Sequence, residues 1–353
     1  MRSVDVLVAG LGPAGSAAAA AAARCGARVL GVDRRRAVGL PVQCAEFIPR
    51  PLGHYAQSGG VLQQTIEGML TVLPSGAAAH TGFPGLMIDR AAFDQALAEE
   101  ARGVGAELAM ATQLVRIDAE HRQATLRGAA GEETMGYRLL VAADGPHSMV
   151  AKSLGLEELE TVQTRQYTVP LNAAYRDTDI WLSPEYPGGY AWLFPKGKLA
   201  NLGLGADKRL CPDLKRPLDA LHRRLVAEGR VGWEIVCRTG GAIPVGGLRA
   251  SLVVDGTLFV GDAAGLTHPI TGAGIAAAVI SGERAGRAAA EYLGGDMNAL
   301  DDFEEDMRDQ FEASLARAAA RRRQMTAGWL AADAGRDDFH RRGWVAFPEY
   351  FAA

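Results

Sequence analysis

Apolar positions open the chain as a short run from Val4 to Ala9, interrupted once by Asp5, and the run stops on Gly10-Leu-Gly12-Pro-Ala-Gly15. A short apolar run bounded by turn residues predicts a strand buried on both faces. Small residues from Ala14 to Arg24 then predict a helix with Gly26 as its stop, and Ala27 to Asp33 predicts a second strand ending in an acid. Between Asp33 and Gly85, Pro and Gly punctuate the pattern closely, which predicts an irregular, site-forming loop. Met87-Ile-Asp-Arg90 leads into a helix over 91–103, where Phe93, Leu97 and Ala101 repeat at helical spacing. Alternation at 113–118, 122–127 and 134–142 predicts an antiparallel meander that ends in Leu139-Leu-Val-Ala-Ala-Asp144-Gly145.

From 160 to 247 the strands become aromatic-rich, with one helix predicted from Asp213 to Glu228 behind Pro212. A hairpin and buried strand over Leu252 to Asp262 return to the first pattern, and a long helix from Gly274 to Leu293 follows. Nucleotide-type strands so far apart predict a discontinuous domain made of 1–60, 85–158 and 248–295. A second, antiparallel-sheet domain is expected from 61–84 and 159–247, and a helical segment from 296–353. The fold class is therefore α/β, with an α+β second domain.

The 353 residues suffice for two domains, and a formal charge of −4 excludes general nucleic-acid affinity. Cys25, Cys44, Cys211 and Cys237 form no C-x-x-C pair, which suits a reducing, cytoplasmic compartment better than a disulfide or zinc framework. No apolar stretch approaches the roughly 20 residues of a spanning helix. Residues 296–312 carry eight acids against one arginine, whereas 313–325 carry four arginines and no acid. Such runs usually form a solvated helical face. The alternative sets Arg317 and Arg321 to Arg323, with Trp329 and Trp344, against an anionic membrane surface, making the protein membrane-peripheral.

The Gly10-x-Gly12-x-x-Gly15 spacing serves a pyrophosphate: a tight turn, close backbone approach, and a helix packed near its strand each need a glycine. Asp33, eighteen residues beyond Gly15, stands where an acid holds a ribose hydroxyl. Pro269-Ile-Thr-Gly272-Ala273-Gly274 opens a helix, so unpaired N–H groups and the helix dipole favour an anion there.

Together with "LLVAADGPHSMVAKSLG" (139–155) and "LFVGDAAGLTHPITGAGI" (258–275), the first motif resembles the FAD fingerprints of flavoproteins with the p-hydroxybenzoate hydroxylase fold. "PVQCAEFIP" (41–49), "GGYAWLFPKG" (188–197) and "GAIPVGG" (241–247) are similar to the geranylgeranyl reductase family within that group. The resemblance implies that Gly10, Gly12, Pro13, Ala14 and Gly15 receive the FAD pyrophosphate, with Asp33 and Arg34 at the adenosine ribose. It places Arg90 near the cofactor, Asp144 and Gly145 behind the pyrophosphate, Gly261 and Asp262 at the ribityl chain, and Gly272, Ala273 and Gly274 at the flavin. Many relatives carry an arginine where this chain has Ala151 before Lys152, so a nicotinamide contact by that motif is not implied.

Tyr190, Trp192 and Phe194 alternate and share one strand face, either as plain sheet core or, as the resemblance implies, as a wall for an apolar substrate. Cys44, in Cys44-Ala45-Glu46, is either a small buried hydrophobe or a proton donor facing reduced flavin; Glu46 and His268 are further proton-transfer candidates. The family implies an FAD-dependent reductase of carbon–carbon double bonds in isoprenoid substrates, with NAD(P)H or another reductant as electron source. The same cradle also serves aromatic hydroxylases, and an electron donor or maturation factor acting on a protein-bound group is a third reading. Flavin halogenases share a motif like "YAWLFP" but need a lysine ahead of it in the flavin domain, and no lysine precedes Lys152 here.

Overall fold

The computed structural model describes residues 2–331 and 333–352, so residues 1, 332 and 353 of the expected first and last segments lie outside it. The first half of the chain forms β1 (Arg2–Ala9), α1 (Pro13–Arg24), β2 (Val29–Asp33), β3 (Phe47–Pro49), β4 (Leu62–Val72), β5 (Ala78–Ile88) and α2 (Arg90–Gly103). There follow β6 (Glu107–Met110), β7 (Gln113–Asp118), β8 (Gln123–Gly128), β9 (Gly131–Ala142) and α3 (Met149–Ser153). The second half forms β10 (Thr161–Pro170), β11 (Asp177–Trp181), β12 (Tyr190–Lys196), β13 (Leu199–Ala206), α4 (Lys215–Ala227), β14 (Cys237–Thr239) and β15 (Ala242–Pro244). Then come β16 (Val253–Val254), β17 (Thr257–Phe259), α5 (Ile275–Leu293), α6 (Ala299–Leu330) and α7 (Asp337–Gly343).

One sheet has a parallel centre in the order β17-β9-β1-β2-β6, with β16 and the β7–β8 part of the meander added antiparallel. Val6, Leu7 and Val8 are all fully buried, so β1 is apolar over its second half, where both its faces are covered, and polar at its exposed start. Strands from residues 2–9 and 257–259 meet in this sheet through β9, which closes the discontinuous core over the intervening chain.

The other sheet runs β14-β10-β13-β12-β11-β4-β5-β3, antiparallel apart from the β4–β11 pair, and β15 joins β10. Its first departure from expectation is the β4–β5 hairpin, two eleven-residue strands inside the stretch read as irregular. Bulges at Leu62/Gln64 and Ile66/Gly68 interrupt the period-two signal, and Gly68, Gly82 and Gly85 imitate breakers. Gly85 is there for space, because the Phe47 ring fills the place of a side chain. β3 belongs to this sheet as well, ahead of residue 61, where the second domain was expected to begin. α4 covers one face, burying Leu218, Leu221 and Leu225 against Leu193 and Leu202.

α6 spans both halves. Phe303, Met307 and Leu315 join the core of the first sheet, and Glu304 accepts from the N–H groups of Leu252 and Val253 at 3.1 and 3.0 Å. Farther on, the Arg322 side chain is buried and donates to the Gly188 carbonyl at the entry to β12. The membrane reading of this segment is corrected at three residues. Arg321 donates to the Tyr350 carbonyl at 3.1 Å, Arg322 is 6% exposed, and Trp344 is 3% exposed against Tyr190, because the last turns fold back onto the second sheet. Trp329 packs edge-on to Phe339. Among the described residues, no helix is long and apolar enough to cross a membrane.

Candidate functional site

Two helices with bare starts define the first part of the site. A methyl at Gly282 would run into the Ala14 carbonyl and one at Gly286 into the Ala18 carbonyl, so α1 and α5 touch backbone to backbone. The matching order of these contacts makes the helices parallel, with the start of α5 about six residues ahead of the start of α1, roughly 9 Å at 1.5 Å per residue. Neither helix has a side-chain cap or an acid in its first turn. Free N–H groups and the positive dipole ends therefore present two anion-binding points along one line.

The three glycines of the first motif meet different needs. Gly10 has φ +93° and backs onto the Ala143 carbonyl; Gly15 stands against Gly10; nothing lies within 4 Å of where a Gly12 side chain would begin. Pro13 and Ala14 begin α1 directly behind it, with Pro at the position where its missing N–H loses nothing. Asp33 accepts from the Leu11 N–H at 2.9 Å and the Arg35 N–H at 2.8 Å, which fixes the loop and leaves lone pairs for a ribose hydroxyl. Arg34 beside it is exposed. Asp144 takes the Val150 N–H on Oδ2 at 3.1 Å, while Oδ1 is buried without a donor among the described residues; burial raises this carboxyl. Gly145 follows with φ +85°.

At the α5 end, Gly261 has φ +54° and donates to Ser281 Oγ at 3.0 Å, which sets the turn that carries Asp262. Burial pushes the Asp262 carboxyl up, against the Thr267 hydroxyl that donates to it at 2.6 Å and the nearby Arg90. Gly272 (φ +68°), Ala273 and Gly274 lead into the helix, and a methyl at Gly274 would press on Thr267 Oγ1. Arg90 pairs with Asp94 at 2.7 Å and lies beside Cys44; burial opposes its charge, but both neighbours raise its pKa above the ordinary value. An open glycine before one bare helix, a second bare helix and a half-satisfied buried acid make a cradle that fits FAD.

The Val42–Glu46 loop is held to the second sheet. Thr239 donates to the Val42 carbonyl at 2.6 Å, Gln166 to the Cys44 carbonyl at 2.9 Å, and Asn201 to the Ala45 carbonyl at 3.2 Å. Glu46, at φ 69°, accepts from the Arg90 N–H, Asn201 and Lys196, the last through both oxygens at 2.8 Å. Its carboxylate is a clamp between the two halves. Cys44 Sγ accepts from the Glu46 N–H at 3.2 Å.

Opposite this loop, the face of β12 holds an aromatic row. Trp344, Tyr190, Trp192, Phe194 and Phe47 follow one another at centroid spacings of 4.8, 5.7, 6.4 and 6.1 Å. Ala191 and Leu193 point the other way, into the core under α4. The Tyr190 hydroxyl donates to the Thr271 carbonyl at 2.5 Å, and Trp192 Nε1 to Gln166 at 3.1 Å. Ala45 and Ile270 pack against the row. His268 sits in the same turn: its Nδ1 accepts from the Thr271 N–H at 3.2 Å, and burial depresses the imidazole to about 4. A neutral ring with its proton on Nε2 fixes the turn and is not a charged acid at neutral pH.

Lys196, Gln166, Asn201 and Trp344 escape a reading of the sequence alone. Lys196 carried a signal, since it continues the period-two row of 190, 192 and 194. The others reach the site only through strand pairing or the returning tail.

Known proteins carry the same architecture. Residues 78–206 match the FAD binding domain family. A digeranylgeranylglycerophospholipid reductase from Methanosphaerula palustris is 36% identical over 309 residues, which cover 82% of this chain and 77% of that protein. Another, from Methanopyrus kandleri, is 35% identical over 334 residues, 88% of each chain. A geranylgeranyl bacteriochlorophyll reductase-like structure from Thermoplasma acidophilum superposes with a TM-score of 0.87 at 25% identity, over 98% of this chain and 93% of that one. A myxobacterial chondrochloren halogenase, at TM-score 0.70 and 18% identity over 87% and 80% of the chains, shares the fold alone. With more than a third of aligned positions identical across four fifths of its length, the chain belongs to the geranylgeranyl reductase family of FAD-dependent oxidoreductases.

Proposed function

We propose that the protein reduces a carbon–carbon double bond of an isoprenoid or similar apolar substrate held between the Cys44 loop and the aromatic row of β12. The observation that carries this reading is that row: four rings, Trp344 to Phe194, face the Cys44 and Thr271 loops instead of filling the core under α4. FAD, once reduced by NAD(P)H or another reductant, supplies the hydride. Gly10, Gly12 and Gly15 with the N–H groups of α1 would hold its pyrophosphate, Asp33 its adenosine ribose, and Asp262 its ribityl chain. The N–H groups at Gly272 to Gly274 would stabilise negative charge on the reduced ring. Rings on the substrate side exclude water from the reacting carbons. Cys44 is the proton donor, because its sulfur is fixed by the Glu46 N–H and lies beside Arg90, and both remain to meet the charge left on it. The protein works in the cytoplasm, and the exposed Met297, Leu330 and Phe351 are large apolar side chains of the C-terminal segment available to a membrane surface.

The test is to reduce the holoprotein without oxygen and add an isoprenoid. Return of the oxidised-flavin spectrum is expected, slowed on the order of a hundredfold in Cys44→Ser with flavin content unchanged. Indifference to the isoprenoid, together with phenol-stimulated oxygen uptake, would replace the reductase with a hydroxylase.

A further inference from the structure

Four side chains of the second sheet close on the short loop Val42–Glu46, one each from β14, β10, β13 and β12: Thr239, Gln166, Asn201 and Lys196. Two of them are themselves aimed by a neighbour. The Thr168 hydroxyl donates to Asn201 Oδ1 at 3.1 Å, so Nδ2 is the end that meets the Ala45 carbonyl and the Glu46 carboxylate. Trp192 Nε1 donates to Gln166 Oε1, so the amide N–H of Gln166 is the end that reaches the Cys44 carbonyl. A loop secured at this many points can hold a backbone angle that it would otherwise leave. That angle is at Glu46, whose φ of 69° lies in the left-handed region, uncommon for a residue with a long side chain. The turn there points the Glu46 N–H back at Cys44 Sγ, two residues earlier, at 3.2 Å.

The Glu46 carboxylate is where these restraints converge. Lys196 Nζ donates to both oxygens at 2.8 Å, Asn201 Nδ2 to Oε2 at 2.8 Å, and the Arg90 N–H to Oε1 at 2.9 Å. Arg90 is the first residue of α2, and its guanidinium stands beside Cys44. One carboxylate therefore fixes both the end of the thiol loop and the start of the helix that carries the neighbouring cation. Its side chain is 7% exposed and that of Lys196 16%. A buried ion pair of this kind gives little net stability over an apolar pair of equal size. What it adds is orientation, because the carboxylate meets all its donors in a single arrangement.

We infer that Lys196 is a positioning residue: through the Glu46 carboxylate, and with Asn201 beside it, it holds the Cys44 thiol in line for proton delivery. The inference rests on the reductase reading, in which the double bond gains a hydride from reduced FAD at one carbon and a proton at the other. The proton leaves Cys44 Sγ as the S–H bond breaks and the new C–H bond forms. The S–H electron pair stays on sulfur as a thiolate beside Arg90, and water returns the proton. Glu46 keeps its charge and passes no proton, since Arg90, Asn201 and Lys196 already donate to its oxygens. Gln166 ties the same loop to Trp192, so the thiol and the substrate wall are held in one frame.

Holoprotein reduced without oxygen is mixed rapidly with geranylgeraniol, and flavin reoxidation is followed in the parent, Lys196→Met, Lys196→Arg, Cys44→Ser and the Cys44→Ser/Lys196→Met double variant. Lys196→Met should slow the step about tenfold, with half-saturation by the prenol and flavin content unchanged. Lys196→Arg, which restores the cation, should bring the rate back to within about threefold of the parent. In Cys44→Ser, where no thiol is left to aim, the same Lys196→Met change should slow the rate less than about twofold. Equal slowing in both backgrounds makes Lys196 a general support of the fold and overturns the inference, as does a Lys196→Met protein with the parent rate. If loss of the one cation prevents folding, Glu46→Gln/Lys196→Met leaves neither charge buried; it should recover most of the stability yet remain about tenfold slow, and a parent rate there also overturns the inference. Hydrogen exchange on the oxidised holoprotein needs no substrate. Peptides covering residues 42–46 should exchange faster in Lys196→Met and as in the parent in Lys196→Arg, and unchanged exchange in Lys196→Met overturns the positioning role. A parent flavin that ignores geranylgeraniol overturns the reductase reading instead, while the exchange result still decides whether Lys196 holds the thiol loop.

Discussion

The two halves of this molecule build their parts of the site from opposite materials. Around β1, α1 and α5 the working surface is bare backbone, made available by what the residues lack: no side chain at Gly12, Gly282 or Gly286, and no cap on either helix. Around β12 it is side chains, held by partners from other strands and from the tail, as with Glu46 and Lys196 or Tyr190 and Trp344. A backbone cradle tolerates almost no added atom, whereas a side-chain wall can lose a member and keep its shape.

That contrast breaks most sharply at Gly286. Gly286→Val would drive a branched side chain into the Ala18 carbonyl, and the loss should reach or exceed about 3 kcal/mol, the upper range for overpacked cores. No flavin-loaded protein is expected on purification, while Gly103→Ala, with nothing within 4 Å, should purify yellow. An equally yellow Gly286→Val would mean that the helices do not touch as described.

On the side-chain half, Glu46→Gln keeps the shape but leaves the Lys196 ammonium, 16% exposed, without its counter-charge. Removing one partner of a buried pair costs about 3–5 kcal/mol, and Lys196→Met added to it should return much of that loss. Chemical denaturation of the single and double variants measures both. If the double variant is no better than Glu46→Gln, the pair is not the clamp.

His268 gives the smallest effect, and a pH-dependent one. The unfolded imidazole takes its proton near its ordinary 6.5, whereas the folded one refuses it until about 4. Stability is therefore full above pH 6.5 and falls as pH drops toward 4, by up to about 3 kcal/mol at 1.36 per unit. Thermal melts at neutral and acid pH should show this slope reduced in His268→Asn, whose side-chain oxygen can replace Nδ1 as acceptor. An unchanged slope would assign the acid sensitivity elsewhere.

The backbone half was legible in the sequence because its demands are local. A glycine needed for φ, approach or packing stands at a set distance from its strand and helix, and Asp33 ends the very next strand. The aromatic alternation of 190, 192 and 194 was legible for the same reason. What could not be read depends on pairing between distant segments: Gln166 and Asn201 reach the Cys44 loop only because β10, β13 and β12 are neighbours. The β4–β5 hairpin was hidden by glycines that a strand partner requires and a local rule counts as breaks. Trp344 and Arg322 were drawn toward a membrane reading because charge and aromatic content show composition without showing which way a helix turns.

Between Gly274, where α5 starts, and Gly282, where it touches α1, stand seven residues. They act as a ruler. The reach from one anion point to the other is stored as a whole number of helical steps, so an insertion or deletion there changes the span by 1.5 Å and turns the helix start by about 100° together. Point substitutions can drift freely along that stretch, but its length cannot change without resizing the molecule that the cradle accepts.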